Sequence, residues 1–353
     1  MSKTIEGDRS RTAALVLAWL AAALILVALI SLGVGPAGLP LRRVLAILAA
    51  GPGASDLPVG DVLIVWQIRM PRILLGGLIG ASLAVAGAVL QGLFRNPLAD
   101  PGLVGVSSGA ALGAVSTIVL GAGILAPVIA VLGVFALPGA AFLGGLAATI
   151  LLYAIATKRG RTSVAIMLLA GIALGAFAAA GTGLLIYVAS DQQLREITFW
   201  SLGALSGSSW SKLTVSGPIM GAVLIAAPFL GRGLNAIVLG EAEAYHLGIP
   251  VQRMKRLAIF LVAAATGAAV AVSGVIGFLG IVVPHLLRLA MGADHRPLLP
   301  ACALLGAILL LLADMLARTL VAPAELPIGI ITAALGAPFF LWMLLRNRGF
   351  VDM

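Results

Sequence analysis

PGLVGVSSGAALGAVSTIVLGAGILAPVIAVLGVFALPGAAFLGGLAATILLYAIAT, residues 101–157, runs for 57 residues without one Asp, Glu, Lys or Arg. One helical crossing of a bilayer takes about 20 mostly apolar residues. This run is therefore too long for one crossing and long enough for two. Gly121-Ala122-Gly123 and Pro127 interrupt it near the middle and mark the turn between the two.

The rest of the chain has the same character. Of its 353 residues 61% are drawn from AVILMFWYC, 10% are charged and 5% aromatic, with 44 Gly and 18 Pro. Soluble domains carry about 25% charged residues, and 22 basic plus 13 acidic side chains, 35 in all, cannot cover a water-facing surface of this size. Abundant glycine suits closely packed membrane helices; a membrane β-barrel would need aromatic girdles. The expected class is an all-α polytopic membrane protein forming a single transmembrane domain over residues 1–353. The net charge of +9 has no polar scaffold to display it to nucleic acid, so it is expected at membrane boundaries. Cys302 excludes a disulfide framework and reads as a packing residue. Residues 1–12 read as a cytoplasmic tail, and Ala13 to Leu32, 20 residues with no A-x-A-like site after them, as a retained first span rather than a signal peptide.

Charges divide the remainder. The first span lies between Arg11 and Arg42, the second is Ile73 to Phe94, and spans three and four fill the uncharged run, with Asp100 placed to cap a helix opening on Pro101. Lys158-Arg159-Gly160-Arg161 ends the fourth; Thr162 to Ser190 holds the fifth and Leu213 to Gly231 the sixth. Residues 232–256 read as a soluble cytoplasmic loop. Leu257 to Leu287 splits at Gly274 and Gly277 into spans seven and eight, Leu298 to Leu320 is the ninth and Ile328 to Leu345 the tenth. With both termini cytoplasmic, 15 of the 22 basic residues fall inside, as the positive-inside tendency requires. Gly80 to Gly87 lines up with Gly267 to Gly274, five spans apart and so oppositely directed, the pattern of an inverted repeat in a transporter.

Some signatures are absent. None of the four lysines follows a G-x-x-x-x-G loop and no H-E-x-x-H occurs, and His246, His285 and His295 are scattered, so neither a phosphate loop nor a metal site is expected. Gly105-Val106-Ser107-Ser108-Gly109 fits G-x-S-x-G formally, but a nucleophile elbow needs a strand before its helix, and Gly105, Gly109 and Gly113 make a small-residue packing seam instead. Gly171, Gly175, Ala179 and Gly183 form another, which serves packing or lines a wide substrate pathway. Asp314 and Arg318 stand one turn apart in the order that favours an ion pair; an acid within a span is also a candidate for proton coupling. Arg69, Arg72 and Arg318 lie on the outer side, where basic residues are scarce, and read as a docking rim for an acidic partner or as lipid-headgroup contacts. Between Asn235 and Pro250, short helical pieces separated by Gly240 and Gly248 carry Ile237, Val238, Leu247 and Ile249, an apolar face fit for a groove on a soluble partner.

Arg69-Met70-Pro71-Arg72, Gln91 to Gly102 (QGLFRNPLADPG), Gly277 to His285 (GFLGIVVPH) and Ala324 to Gly329 (AELPIG) resemble the permease subunits of type II ABC importers, the FecCD-type family that takes up ferric siderophores, haem and cobalamin. The resemblance covers Asp61 to Arg346 and implies ten spans per subunit, a homodimer with the pathway at its interface, two cytoplasmic ATPase subunits that carry ATP and Mg, and a periplasmic binding protein. The permease itself would hold no cofactor and catalyse nothing, in the bacterial inner membrane. It further implies that Arg69, Arg72 and Arg318 meet glutamates of the binding protein, and that Leu239, Gly240, Glu241, Glu243, Leu247, Gly248 and Pro250 belong to coupling helices seated in the ATPase. Asp191 to Gly203 looks most like haem importers. Arg195 would then meet haem propionates at the outer opening, unless it pairs with Asp191 or Glu196, and Gly171 and Gly175 would line the pathway. Ferric siderophore and cobalamin are the alternative cargoes, and a secondary transporter driven by protons through Asp314 is the rival class.

Overall fold

The computed structural model describes residues 10–53, 56–158 and 161–346. Seven helices are long and apolar enough to cross a membrane: α1 (Ser10–Gly33), α3 (Val59–Phe94), α5 (Ala126–Ala156), α6 (Val164–Val188), α8 (Trp210–Leu239), α10 (Val251–Ser273) and α12 (His295–Ala317). Three shorter apolar helices, α4 (Val106–Leu120), α11 (Leu279–Met291) and α13 (Ile328–Arg346), bring the described crossings to ten. An even number puts Ser10 and Arg346 on one side. Three more helices lie between crossings: α2 (Leu41–Ala50), α7 (Asp191–Ser201) and α9 (Glu241–His246). The paired two-residue strands β1 (Thr157–Lys158) and β2 (Arg161–Thr162) turn the chain from α5 to α6.

Burial separates centre from rim. The most apolar windows of α3, α10 and α12 are 83%, 78% and 61% buried, those of α5 and α6 17%, and that of α1 6%. Small residues make the centre possible. A Cβ at Gly80 would enter the backbone of Gly306 on α12, and one at Gly87 the backbone of Gly280 on α11. The seam read from Gly109 and Gly113 meets Gly144 and Ala140 of α5 in the same way. Such approach lets dispersion act between backbones where lipid supplies no hydrophobic drive. The Gly80–Gly87 and Gly267–Gly274 segments lie on α3 and α10, which pack together at the centre.

Three sequence expectations are corrected. The second span begins at Val59 rather than Ile73, so Arg69 and Arg72 are helical and internal. At about 1.5 Å per residue this 36-residue helix is about 54 Å long, well beyond the bilayer core, and it widens into a π-turn at Ile64–Arg69 just before Pro71, whose ring has no N–H to continue the ladder. Residues 232–256 are not a solvated loop: α8 continues to Leu239 with Leu234 and Ile237 buried. Asp100 caps a short 3-10 turn, its carboxylate accepting from Gly102 N–H at 2.8 Å, and α4 starts only after Gly105, whose φ of +76° favours glycine.

Candidate functional site

Five charged side chains converge at the end of the bundle read as outer. Asp314 Oδ1 accepts from Arg72 Nε at 3.0 Å and Nη2 at 2.8 Å. The same guanidinium donates to Glu325 Oε1 and Oε2, each at 2.9 Å. Arg318 Nε lies 3.3 Å from Asp314 Oδ2, so the one-turn ion pair exists, but Arg72 is the stronger partner. The sequence reading missed it because Arg72 and Asp314 are 242 residues apart.

The remaining donors of the cluster close the end of α1. Arg318 donates to Val34 O at 3.0 Å, Ser31 O at 3.1 Å and Ser31 Oγ at 2.5 Å, and Arg69 donates to Ala37 O at 2.6 Å and to Leu32 O. The last carbonyls of a helix have no partners inside it and carry the negative end of its dipole; two guanidiniums satisfy both needs at once. The cost is cramped backbone: Gly35 sits at φ +145°, and a Cβ there would stand 3.1 Å from Arg69 Nη2.

These contacts correct the docking-rim reading. Arg69, Arg72 and Arg318 are 4%, 7% and 3% exposed, with donors committed to internal acceptors. They can lie below the surface because Arg72 and Arg318 face acids and Arg69 donates to backbone carbonyls, which a count of uncharged residues along the chain does not register. Outer cations that are exposed are Arg42 on α2 and Arg195; Arg43 is half-buried and meets Asp61 at 3.5 Å. Arg195 forms no ion pair among the described residues, and Glu196 instead accepts from Gln192 at 3.5 Å. Its helix α7 is anchored: Ser190 and Gln193 form a capping box, and Gln193 Nε2 donates to Ile118 O and Val119 O at the end of α4, each at 3.1 Å.

Gly171 and Gly175, expected along the pathway, face α4 instead. A Cβ at Gly105 would meet Gly171 O at 3.6 Å, and one at Gly175 would meet Ser108 Oγ at 3.5 Å. The free face of α6 is the other one, with Ile172, Ala176, Ala180, Gly183 and Tyr187 exposed at helical spacing.

At the opposite end α9 forms the knob. Gly240 (φ +138°) and Gly248 (φ +79°) bound it as read from sequence. Val238, Leu239, Tyr245 and Leu247 are exposed, with Glu243, Gly248 and Pro250 also on the surface, while Ile237 is buried in the core rather than on this face. Glu241, Ala242, Tyr245, His246, Arg253 and Arg256 border a groove of about 690 Å³ beside it. Above the knob, Arg288 donates to Gln91 Oε1 at 2.5 Å and Gln91 Nε2 to Gly280 O at 2.9 Å, tying α11 to α3. Asn235 Oδ1 accepts from the His295 N–H at 2.9 Å and lies 2.8 Å from its Nδ1, tying α8 to α12.

Ten crossings around a central glycine-packed set, a charged cluster at one end and a protruding helix at the other define a polytopic permease. The chain belongs to the FecCD transport family, whose pattern matches residues 23–346. It is 49% identical over 285 residues, 80% of this chain and 84% of the relative, to the hemin transport system permease protein HmuU of Yersinia pestis. It is 46% identical over 314 residues, 88% of this chain and 80% of the relative, to the cobalamin import system permease protein BtuC of Halobacterium salinarum. Among solved structures it resembles a metal-chelate type ABC transporter in an inward-facing conformation, with 33% identity and a TM-score of 0.80 over 94% of this chain and 98% of that one. The chain is thus a multi-pass permease of a type II ABC importer in the inner membrane, and ATP hydrolysis belongs to a separate subunit.

Proposed function

We propose that the permease imports haem, working as a homodimer with two ATPase subunits that bind ATP and Mg and a periplasmic binding protein that delivers the cargo. The observation that carries the haem reading is Arg195, an exposed outer cation with no ion pair among the described residues, held on a helix anchored to α4. A haem presents two carboxylates to such a group. The 49% identity to a hemin permease supports it, and the cobalamin relatives, 46% and 41% identical, support cobalamin as the second reading. Ferric siderophore import remains a third arm of the test.

In this reading the two copies meet through the free face of α6. Its exposed small residues, Ala176, Ala180 and Gly183, suit backbone approach. The cavity between the copies would carry the cargo by alternating access. The ATPase would seat Leu239, Tyr245 and Leu247 in a groove of its own, with Glu241 and Glu243 beside them, and its closure would displace α9. The three arginines and two acids at the outer end leave one surplus positive charge beneath the surface, which would steer an acidic binding protein. Direct pairing of Arg69 or Arg318 with that protein would require them to release α1.

The test is ATP hydrolysis by the assembled complex in the presence of its binding protein loaded with haem, cobalamin or a ferric siderophore. Stimulation by the haem-loaded form, reduced by Arg195→Glu, is the expected result. Stimulation by only one of the other two would replace haem with that cargo.

A further inference from the structure

Lys255 is the largest fully buried side chain of the described residues, at 1% exposure, and it lies in the second turn of α10. Its ammonium donates in two directions. Nζ is 3.0 Å from Thr162 O in β2 and 2.5 Å from Glu241 Oε1 at the start of α9. The Thr162 N–H is held from the same helix, donating to Gln252 Oε1 at 3.1 Å. Thr162 and Thr157 also share a hydroxyl hydrogen bond of 2.9 Å across the β1–β2 pair. Three elements that are separate in sequence therefore meet on one ammonium: the knob α9, the first turns of α10, and the turn that delivers the chain into α6.

A buried ammonium is an expensive way to fill space. Desolvation of a charge commonly cancels the attraction it gains, and a methionine of similar length packs without that cost. Stability alone does not account for a lysine at this position. What an ammonium can do and an apolar side chain cannot is hold two acceptors on different elements at a set separation. Glu241, its carboxylate partner, is 42% exposed on the side of α9 that meets the groove, so the linkage begins at the surface.

We propose that Lys255 is a positioning residue that ties α9 to the β1–β2 turn, so that a displacement of α9 is passed to the cytoplasmic end of α6 and its free face. The proposal rests on the reading of α9 as the ATPase contact. No other ion pair among those found joins α9 to the rest of the bundle.

The experiment uses the full importer in proteoliposomes, with hydrolysis and cargo uptake measured on the same vesicles for the parent, Lys255→Met and Glu241→Gln. Glu241→Gln alters only the half-exposed partner and leaves Lys255 on Thr162, so it reports even if Lys255→Met fails to assemble. The expected result is uptake per ATP hydrolysed reduced about tenfold in both variants, within the usual range of coupling between sites; the ratio is the readout because Glu241 also borders the surface read as the ATPase contact, where its loss can alter hydrolysis itself. Hydrolysis and uptake falling together, at an unchanged ratio, would overturn the proposal. A second measurement places spectroscopic probes at Ala242→Cys on α9 and Lys158→Cys on β1. In the parent background, ATP should move both. With Glu241→Gln added, the α9 probe should still respond and the β1 probe should lose its response; an undiminished β1 response overturns the tie. If the α9 probe is silent in the parent, it is the reading of α9 that fails, and the two failures are thereby distinguished.

Discussion

Asp314 is 1% exposed and accepts two hydrogen bonds from Arg72 while facing Arg318. Removing one member of such a cluster leaves its partners charged and dry, which costs roughly 3–5 kcal/mol, whereas an exposed pair contributes about 0–1 kcal/mol. Asp314→Ala is therefore expected to lower the unfolding free energy in detergent by several-fold more than Arg43→Ala, which breaks the surface pair with Asp61. Equal effects in matched chemical denaturation would show that the cluster is not a structural clamp. The same geometry gives Asp314 a structural part, since its carboxylate is engaged by two guanidiniums. Arg69 and Arg72 were conspicuous in sequence because cations are scarce on that side. Their destination was not legible, because it depends on carbonyls of α1 and on two acids more than 240 positions away.

Among the elements, glycine has two opposite meanings. At Gly87 a Cβ would enter the Gly280 backbone, so Gly87→Ala must push α3 from α11, an overpacking cost of about 1–3 kcal/mol. Gly221 in α8 has nothing within 4 Å of a Cβ, and Gly221→Ala should stabilise by up to about 1 kcal/mol through helix propensity alone. Thermal melts of the two purified variants, shifted in opposite directions, check this. Both residues look alike in sequence; only the distance to the neighbouring helix separates them. A parallel pair lies on α8: Leu239 is 68% exposed and Ile237 1%. Leu239→Asp should leave the permease folded yet abolish co-purification of the ATPase, while Ile237→Asp should fail at folding. Normal assembly of the Leu239→Asp protein would count against α9 and its approach as the coupling surface. The apolar pattern from Asn235 to Pro250 announced a contact but could not say which of its residues the core would claim.

For the whole molecule, the proposal to check is that a second copy covers the free face of α6. If a second copy does, Gly183→Leu should convert the cross-linked dimer to monomer with the monomer's helix content unchanged; Gly183 has open space around it within one chain, so no internal clash confuses the result. The number of crossings, their order and the sidedness of the chain were determined by the sequence itself. Each follows from a local quantity, the length of an uncharged run or the side on which cations collect, and the solvent reads these residue by residue. The positions of α2 and of the first half of α3 escaped that reading because their charges break the runs. Only the tertiary structure decided whether a charge marks a boundary or a buried joint. Lys158 lies at the surface in β1, just past the end of α5, whereas Lys255, Arg72 and Arg318 are inside and paired. Hydration is a property of each residue's neighbourhood, and for a buried ion that neighbourhood is assembled from distant parts of the chain, where attraction to the right partners replaces water.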